Sequence, residues 1–170
     1  MRRELLTWND VEKLIDHLLP QFETEFDVMI LVARGGIIPG GMLAEATQMS
    51  TILTASVDFP YEAEMEKQRE KTRLLAWPKF IQFPENDLLA ERRVLIVDDV
   101  WGSGRTITAV KNRVNGARGL PFTCVLHFNP YRNLFGTARP DYYAAITDAF
   151  IIYPWEANHE PPLSIPPRRG

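Results

Sequence analysis

The 170-residue chain has one cysteine, Cys124, so no internal disulfide framework is available and a reducing compartment suits it. It lies inside an apolar run and reads as a buried structural thiol rather than a nucleophile. No apolar stretch approaches the roughly 20 residues that a membrane-crossing helix needs. The opening Met1-Arg2-Arg3-Glu4 lacks the apolar core of a secretory leader, and a cytoplasmic location is expected. Positive charge is not in excess: 19 Lys and Arg against 22 Asp and Glu give −3, which offers no broad attraction to nucleic acid or an anionic membrane. The three histidines, His17, His127 and His159, show no metal-ligand spacing. Internal repeats and linkers are also missing. With 45% hydrophobic and 24% charged residues, the chain is expected to form one ordinary globular domain with a sizeable core.

What is present centres on Val94-Leu95-Ile96-Val97-Asp98-Asp99-Val100-Trp101-Gly102-Ser103-Gly104-Arg105-Thr106. The short β-branched run Val94–Val97 reads as a strand buried on both faces of a parallel sheet. After Thr106, the spacing of Ile107, Val110 and Val114 is helical. A loop between such a strand and helix lies at the carboxyl edge of the sheet, where open α/β folds bind ligands. Gly102 and Gly104 permit a tight turn, and the first amides of the helix, with the Ser103 and Thr106 hydroxyls, form an anion cradle. Alone, Asp98-Asp99 could be surface acids or a helix cap. With the cradle behind them, they read as acceptors for adjacent sugar hydroxyls, in a ribose-phosphate site. The loop is not a Walker A motif, because Gly-Lys-Ser/Thr is missing, and it lacks the third glycine of a dinucleotide fingerprint.

Elsewhere, Thr7 with Asp10 resembles a capping box, ahead of a helix carried by Val11, Leu14, Ile15, Leu18, Leu19 and Phe22. Strands are expected at Phe26–Ala33, Thr51–Val57 and Phe122–Phe128, the last preceded by the breakers Gly116, Gly119 and Pro121. A second helix is expected around Pro39, Met42, Leu43, Ala46 and Met49. Alternating strands and helices predict an α/β fold with a mainly parallel sheet flanked by helices. Arg34-Gly35-Gly36 closes the Phe26–Ala33 strand either as a solvent-facing turn or as a second anion site. Two anion cradles imply a ligand with phosphate at both ends, and with it magnesium. The segment between Asp58 and Lys79 is crowded with charge, and reads as a solvated excursion or a mobile lid. Phe150, Tyr153 and Trp155 are either core aromatics, the reading favoured for Trp155, or include one that stacks on a planar heterocycle. Residues 158–170 form a proline-rich tail expected to be poorly ordered.

Val94 to Thr106 resembles the diphosphoribosyl-binding signature of the type I phosphoribosyltransferases, and Arg34-Gly35-Gly36 is similar to that family's pyrophosphate loop. Pro130…Arg139-Pro140-Asp141-Tyr142-Tyr143…Phe150-Ile151-Ile152-Tyr153-Pro154-Trp155-Glu156 resembles the microbial xanthine, guanine and hypoxanthine salvage enzymes. The resemblance covers about Phe26 to Glu156. It implies transfer of ribose 5-phosphate from phosphoribosyl diphosphate to a nucleobase, within one domain over residues 1–157 that carries a lid at 58–79 and a hood at 129–157. It implies that Asp98 and Asp99 bind the ribose hydroxyls, with Asp99 also at magnesium. Ser103, Gly104, Arg105 and Thr106 would hold the 5′-phosphate, and Arg34, Gly35 and Gly36 the pyrophosphate. Phe150 would stack on the base, and the Ile151 backbone would meet its edge. A non-proline cis peptide is implied at Ala33-Arg34, and a homo-oligomer, dimer or tetramer, for the assembly.

Two positions depart from the family pattern. Gly102 stands where purine-handling members carry an acid, and Asn129 stands at or near a lysine that contacts the 6-oxygen. Glycine cannot act as a general base, and asparagine brings no charge. The reaction type is therefore read more firmly than the identity of the base. A non-catalytic sensor of phosphoribosyl diphosphate or a nucleotide is the alternative.

Overall fold

A computed structural model describes residues 1–59 and 77–156. Most of the expected lid, residues 60–76, and the expected tail lie outside the described residues.

The chain begins with strand β1 (Arg3–Leu5) and helix α1 (Trp8–Leu18). The capping box is present: the Asp10 amide donates to Thr7 Oγ1 (3.2 Å), and the Thr7 amide donates to Asp10 Oδ2 (2.8 Å). α1 stops short of the expected Phe22. A 3₁₀ turn, Leu19–Gln21, replaces its last residues, because Pro20 has no amide to continue the helix. Strand β2 (Val28–Val32) follows, then α2 (Ile37–Thr47), with Pro39 in its first turn, where a missing N–H does no harm. The helix ends at Gln48 in the left-handed region (φ 56°), and Met49 lies beyond it.

Strands β3 (Ile52–Asp58) and β4 (Lys79–Gln82) flank the undescribed segment. β5 (Arg93–Trp101) is longer than the apolar run alone implied and carries Asp98 and Asp99 inside the strand, not after it. Its pairing with β6 (Leu120–Phe128) explains this, since the ladder continues through Asp98↔Val125, Val100↔His127 and Trp101↔Phe128. Helix α3 (Arg105–Gly116) connects these two strands. β6 starts at Leu120, so Pro121 sits inside it, near the first residue of the strand where proline is tolerated. β7 (Tyr142–Ile146) and β8 (Phe150–Ile152) complete the described chain.

The main sheet has the order β4-β3-β2-β5-β6-β7, all parallel except the β3–β4 pair. β1 and β8 form a separate parallel pair. The expected hood, residues 129–157, is thus divided: β7 belongs to the main sheet, while β8 pairs with the N-terminal strand.

Period-two alternation sorts the strand side chains onto two faces. Met29, Leu31, Leu95, Val97, Cys124 and Leu126 meet α1 and α2 through Val11, Ile15, Leu18 and Leu43. Val28, Ile30, Val32, Val94 and Ile96 meet Ile107, Val110 and Val114 of α3. The predicted α/β fold, a mainly parallel sheet covered by helices on both faces, is the one observed.

Among the described residues, no helix is long and apolar enough to cross a membrane. Cys124 is fully buried, and burial raises its thiol pKa far above the ordinary value. A thiol reagent is therefore expected to label it slowly in the native protein and rapidly in urea, as mass spectrometry would show.

Candidate active site

The strand order reverses at β2: β3 lies on one side of it and β5 on the other. The carboxyl ends of β2 and β5 therefore open onto the same crevice, the place where parallel sheets bind ligands. Pairing of β2 with β5 reaches Leu31↔Val97, after which β2 ends and β5 continues to Trp101. The Arg34 loop must turn in the space beside the extended part of β5.

That space admits only glycine. A Cβ on Gly36 would overlap the Val97 carbonyl oxygen and would lie 2.9 Å from the Val32 backbone, and one on Gly35 would overlap the Asp99 carboxylate. The turn is closed by Gly36 N–H donating to Val32 O (2.8 Å) and Ile37 N–H donating to Arg34 O (3.1 Å). The Ala33–Arg34 peptide is cis, as the resemblance implied. α2 starts from Gly36 with no side-chain cap; its Ile37 amide is engaged by Arg34 O and Pro39 has none, which leaves the Ile38 amide as the first-turn donor without an intrahelical acceptor.

Opposite stand the two acids. The Asp99 amide donates to Asp98 Oδ1 (2.9 Å) and the Val100 amide to Asp99 Oδ1 (2.7 Å), which fixes both side chains against their own strand. Burial, and then the adjacent Asp99 charge, push Asp98 well above the usual carboxylate range. Burial also raises Asp99, against the lowering effect of the Val100 amide, and Glu156 adds to the rise. Among the described residues the ion pairs are Arg2–Asp148 and Arg93–Asp27, so neither member of the acidic pair has a basic partner.

The loop beyond β5 is held from several sides. Trp101 is buried and donates through Nε1 to Asn133 Oδ1 (3.1 Å), the Asn129 amide donates to Trp101 O (2.9 Å), and the Leu134 amide donates to Ser103 O (3.0 Å). The Arg105 amide donates to Ser103 Oγ (3.3 Å). Gly104 has φ +82°, and a Cβ there would overlap the Trp101 indole, so its glycine is demanded twice. It caps α3 without a side chain, which leaves the amides around Ser103–Thr106 as the anion cradle. Gly102 differs, because a Cβ there would meet nothing within 4 Å.

A cavity of about 780 Å³ brings together Arg34, Gly35, Ile37, Ile38, Asp99, Trp155 and Glu156. The remaining expected positions are less uniform. The Arg105 guanidinium lies over the Phe59 ring, 4.9 Å from its centroid, so any contact it makes in the cradle comes from its amide. Asn129 is buried, and its Oδ1 accepts from the Tyr131 amide (3.1 Å). Phe150 is half-exposed in β8, Ile151 is buried, and neither lines this cavity.

The sequence reading missed Trp155 and Glu156. Trp155 packs against the core, as expected, through its stack on Tyr153 (4.6 Å, 3°), but it is only half-buried and also borders the cavity. Its position after the apolar β8 is a signal for core and for cleft alike. His127 faces inward, bonded to the Tyr153 hydroxyl, and burial lowers its pKa to about 4.

No family model matches the sequence, and no curated protein matches it. Solved structures do. The purine phosphoribosyltransferase of Pyrococcus horikoshii is 28% identical, with a TM-score of 0.78 over 94% of this chain and 97% of that one. Its fold is that of the type I phosphoribosyltransferases. A Neisseria gonorrhoeae hypothetical protein with bound ppGpp (23% identity, TM-score 0.74, 92% of this chain and 90% of that one) shares it. So does the xanthine-guanine-hypoxanthine phosphoribosyltransferase of Helicobacter pylori (17%, 0.70, 92% and 95%). The resemblance read from the sequence is borne out at the level of this fold.

The two loop glycines separate packing from openness in this phosphoribosyltransferase fold. Gly36→Ala is expected to cost about 1–3 kcal/mol, since fixed backbone must move. Gly102→Ala should stay within about 0.5 kcal/mol of the parent. Thermal and urea unfolding of the two variants checks this.

Proposed function

We propose that this chain transfers ribose 5-phosphate from phosphoribosyl diphosphate to a ring nitrogen of a nucleobase, a purine by preference, and releases pyrophosphate. The observation that carries this reading is the contact of the Gly35 turn with the Asp99 carboxylate, which unites an anion loop and a sugar-binding acidic pair distant in sequence. The similarity to a purine phosphoribosyltransferase at 28% identity supports it and motivates the choice of purine.

In the proposed transfer, the base nitrogen forms a bond to ribose C1 as the C1–O bond to pyrophosphate breaks, and the nitrogen's proton is lost. Arg34, Gly35 and the Ile38 amide of α2 take the pyrophosphate, and Asp98 and Asp99 accept hydrogen bonds from the ribose hydroxyls. The amides of Ser103, Gly104, Arg105 and Thr106 hold the 5′-phosphate. Magnesium fits this donor set. Two adjacent carboxylates without a basic partner would hold it through Asp99, together with oxygens of the donor, and the described residues offer no cluster of three ligands that would cage it alone. When bound, it supplies positive charge to the leaving pyrophosphate. A cytoplasmic location belongs to the same proposal, since a chain with one cysteine suits a reducing compartment. So does a homo-oligomer, and light scattering should give a mass above that of one chain.

The deciding assay measures base-dependent pyrophosphate release with magnesium, phosphoribosyl diphosphate and a panel of purines and pyrimidines. Release with a purine is the expected result, and tight donor binding without turnover would overturn the proposal. The double variant Asp98→Asn with Asp99→Asn should lose most magnesium-dependent donor binding in calorimetry. Gly102→Asp, which the open space permits, is expected to raise turnover on a 6-oxopurine, by up to about 10²-fold if general base catalysis is restored.

A further inference from the structure

His127 and Tyr153 are buried polar groups beside the cleft for which the proposed transfer has no direct use. The Tyr153 hydroxyl donates to the Asp99 carbonyl (3.0 Å) and lies 2.8 Å from His127 Nδ1. A hydroxyl has one proton to give, so His127 must donate through Nδ1–H. The Tyr153 ring stacks on Trp155, and the Tyr153 amide donates to Glu156 Oε2 (3.1 Å) while the Glu156 amide donates back to Tyr153 O (3.0 Å). One residue therefore grips the Asp99 peptide at its tip, carries Trp155 on its face, and closes the turn that presents Glu156.

Apolar packing also joins this segment to β5, since Ile151 and Tyr153 share a core with Leu95 and Val97. β8 pairs with β1 and not with the main sheet, however, and among the described residues no other hydrogen bond joins residues 150–156 to β5. Trp155 and Glu156 nevertheless line one cavity with Arg34, Gly35 and Asp99.

Resting on the transferase reading, we propose that Tyr153 is a positioning residue: a strut that fixes Trp155 and Glu156 against Asp99 across the cavity they line together. Both phosphate cradles lie outside the strut. Its loss should leave donor capture largely intact, since Tyr153 bonds neither loop, and should disturb the geometry between Asp99 and Glu156 on which turnover depends.

The test uses Tyr153→Phe, which keeps the ring and its stack, and the double variant His127→Leu with Tyr153→Phe, which leaves no buried histidine unpaired. In both, calorimetric affinity for phosphoribosyl diphosphate with magnesium should stay near that of the parent. kcat should fall about ten- to a hundredfold, the loss that ångström-scale misplacement produces. Amide hydrogen exchange should quicken together at residues 99–101 and 155–156. Parental kcat in Tyr153→Phe, or its recovery in the double variant, would overturn the strut, because the loss would then trace to the stranded histidine. A parent protein that binds the donor without releasing pyrophosphate overturns the transferase reading alone. Exchange then decides the strut, upheld by coupled quickening and refuted by unchanged protection.

Discussion

The site depends on the unequal lengths of two neighbouring strands. β2 stops at Val32 while β5 runs on to Trp101, and the chain leaving β2 has to turn within the gap. Gly36 lies against the Val97 carbonyl and Gly35 against the Asp99 carboxylate, so the turn is packed onto the strand that bears the acids. Any side chain at these positions pushes the two apart. The same stagger directs the first turn of α2 at the crevice and aligns it with the start of α3, because both helices grow from adjacent parallel strands.

Electrostatics follows from that geometry. Adjacent carboxylates in a partly buried strand resist ionisation, and here they do so without a basic partner among the described residues. Such a pair is costly to keep charged until something positive arrives. Its own strand meets only part of the demand, through the Asp99 and Val100 amides. The uncompensated remainder is what suits the pair to a cation and to sugar hydroxyls.

Much of this was legible in the sequence, for physical reasons. Val94–Val97 announces a doubly buried strand because no residue in it can face water, and Thr7 with Asp10 announces a helix start through local hydrogen bonds alone. Gly104 and Arg34-Gly35-Gly36 stand out because backbone that must pass close to something leaves a trace in composition. The rest depends on contacts between distant segments. The continuation of β5 through two acids is decided by its partner β6, and the pairing of β8 with the N-terminal β1 by a strand some 145 residues away in sequence. The place of Trp155 at the cavity was missed because an aromatic residue stacked on a core tyrosine and one bordering a cleft have the same local pattern, and here a single ring does both.

Gly102 bears on the acceptor alone. The loop does not owe its shape to that glycine: Gly104 supplies the left-handed turn, Trp101 the anchor, and Leu134 the brace at Ser103. The absence of an acid is thus a chemical difference, not a steric one. Its weight can be judged by magnitude. A general base contributes about 10²–10⁴ in rate, roughly 3–5 kcal/mol. Positioning two reactants can supply about 7–11 kcal/mol. For a transfer in which charge develops as pyrophosphate departs, the larger share falls to the groups that hold the donor at both ends and to those that align the base, and Gly102 takes no part in either. What the loop loses at this position is help in removing the base's proton, so the choice of acceptor is where the loss should be felt.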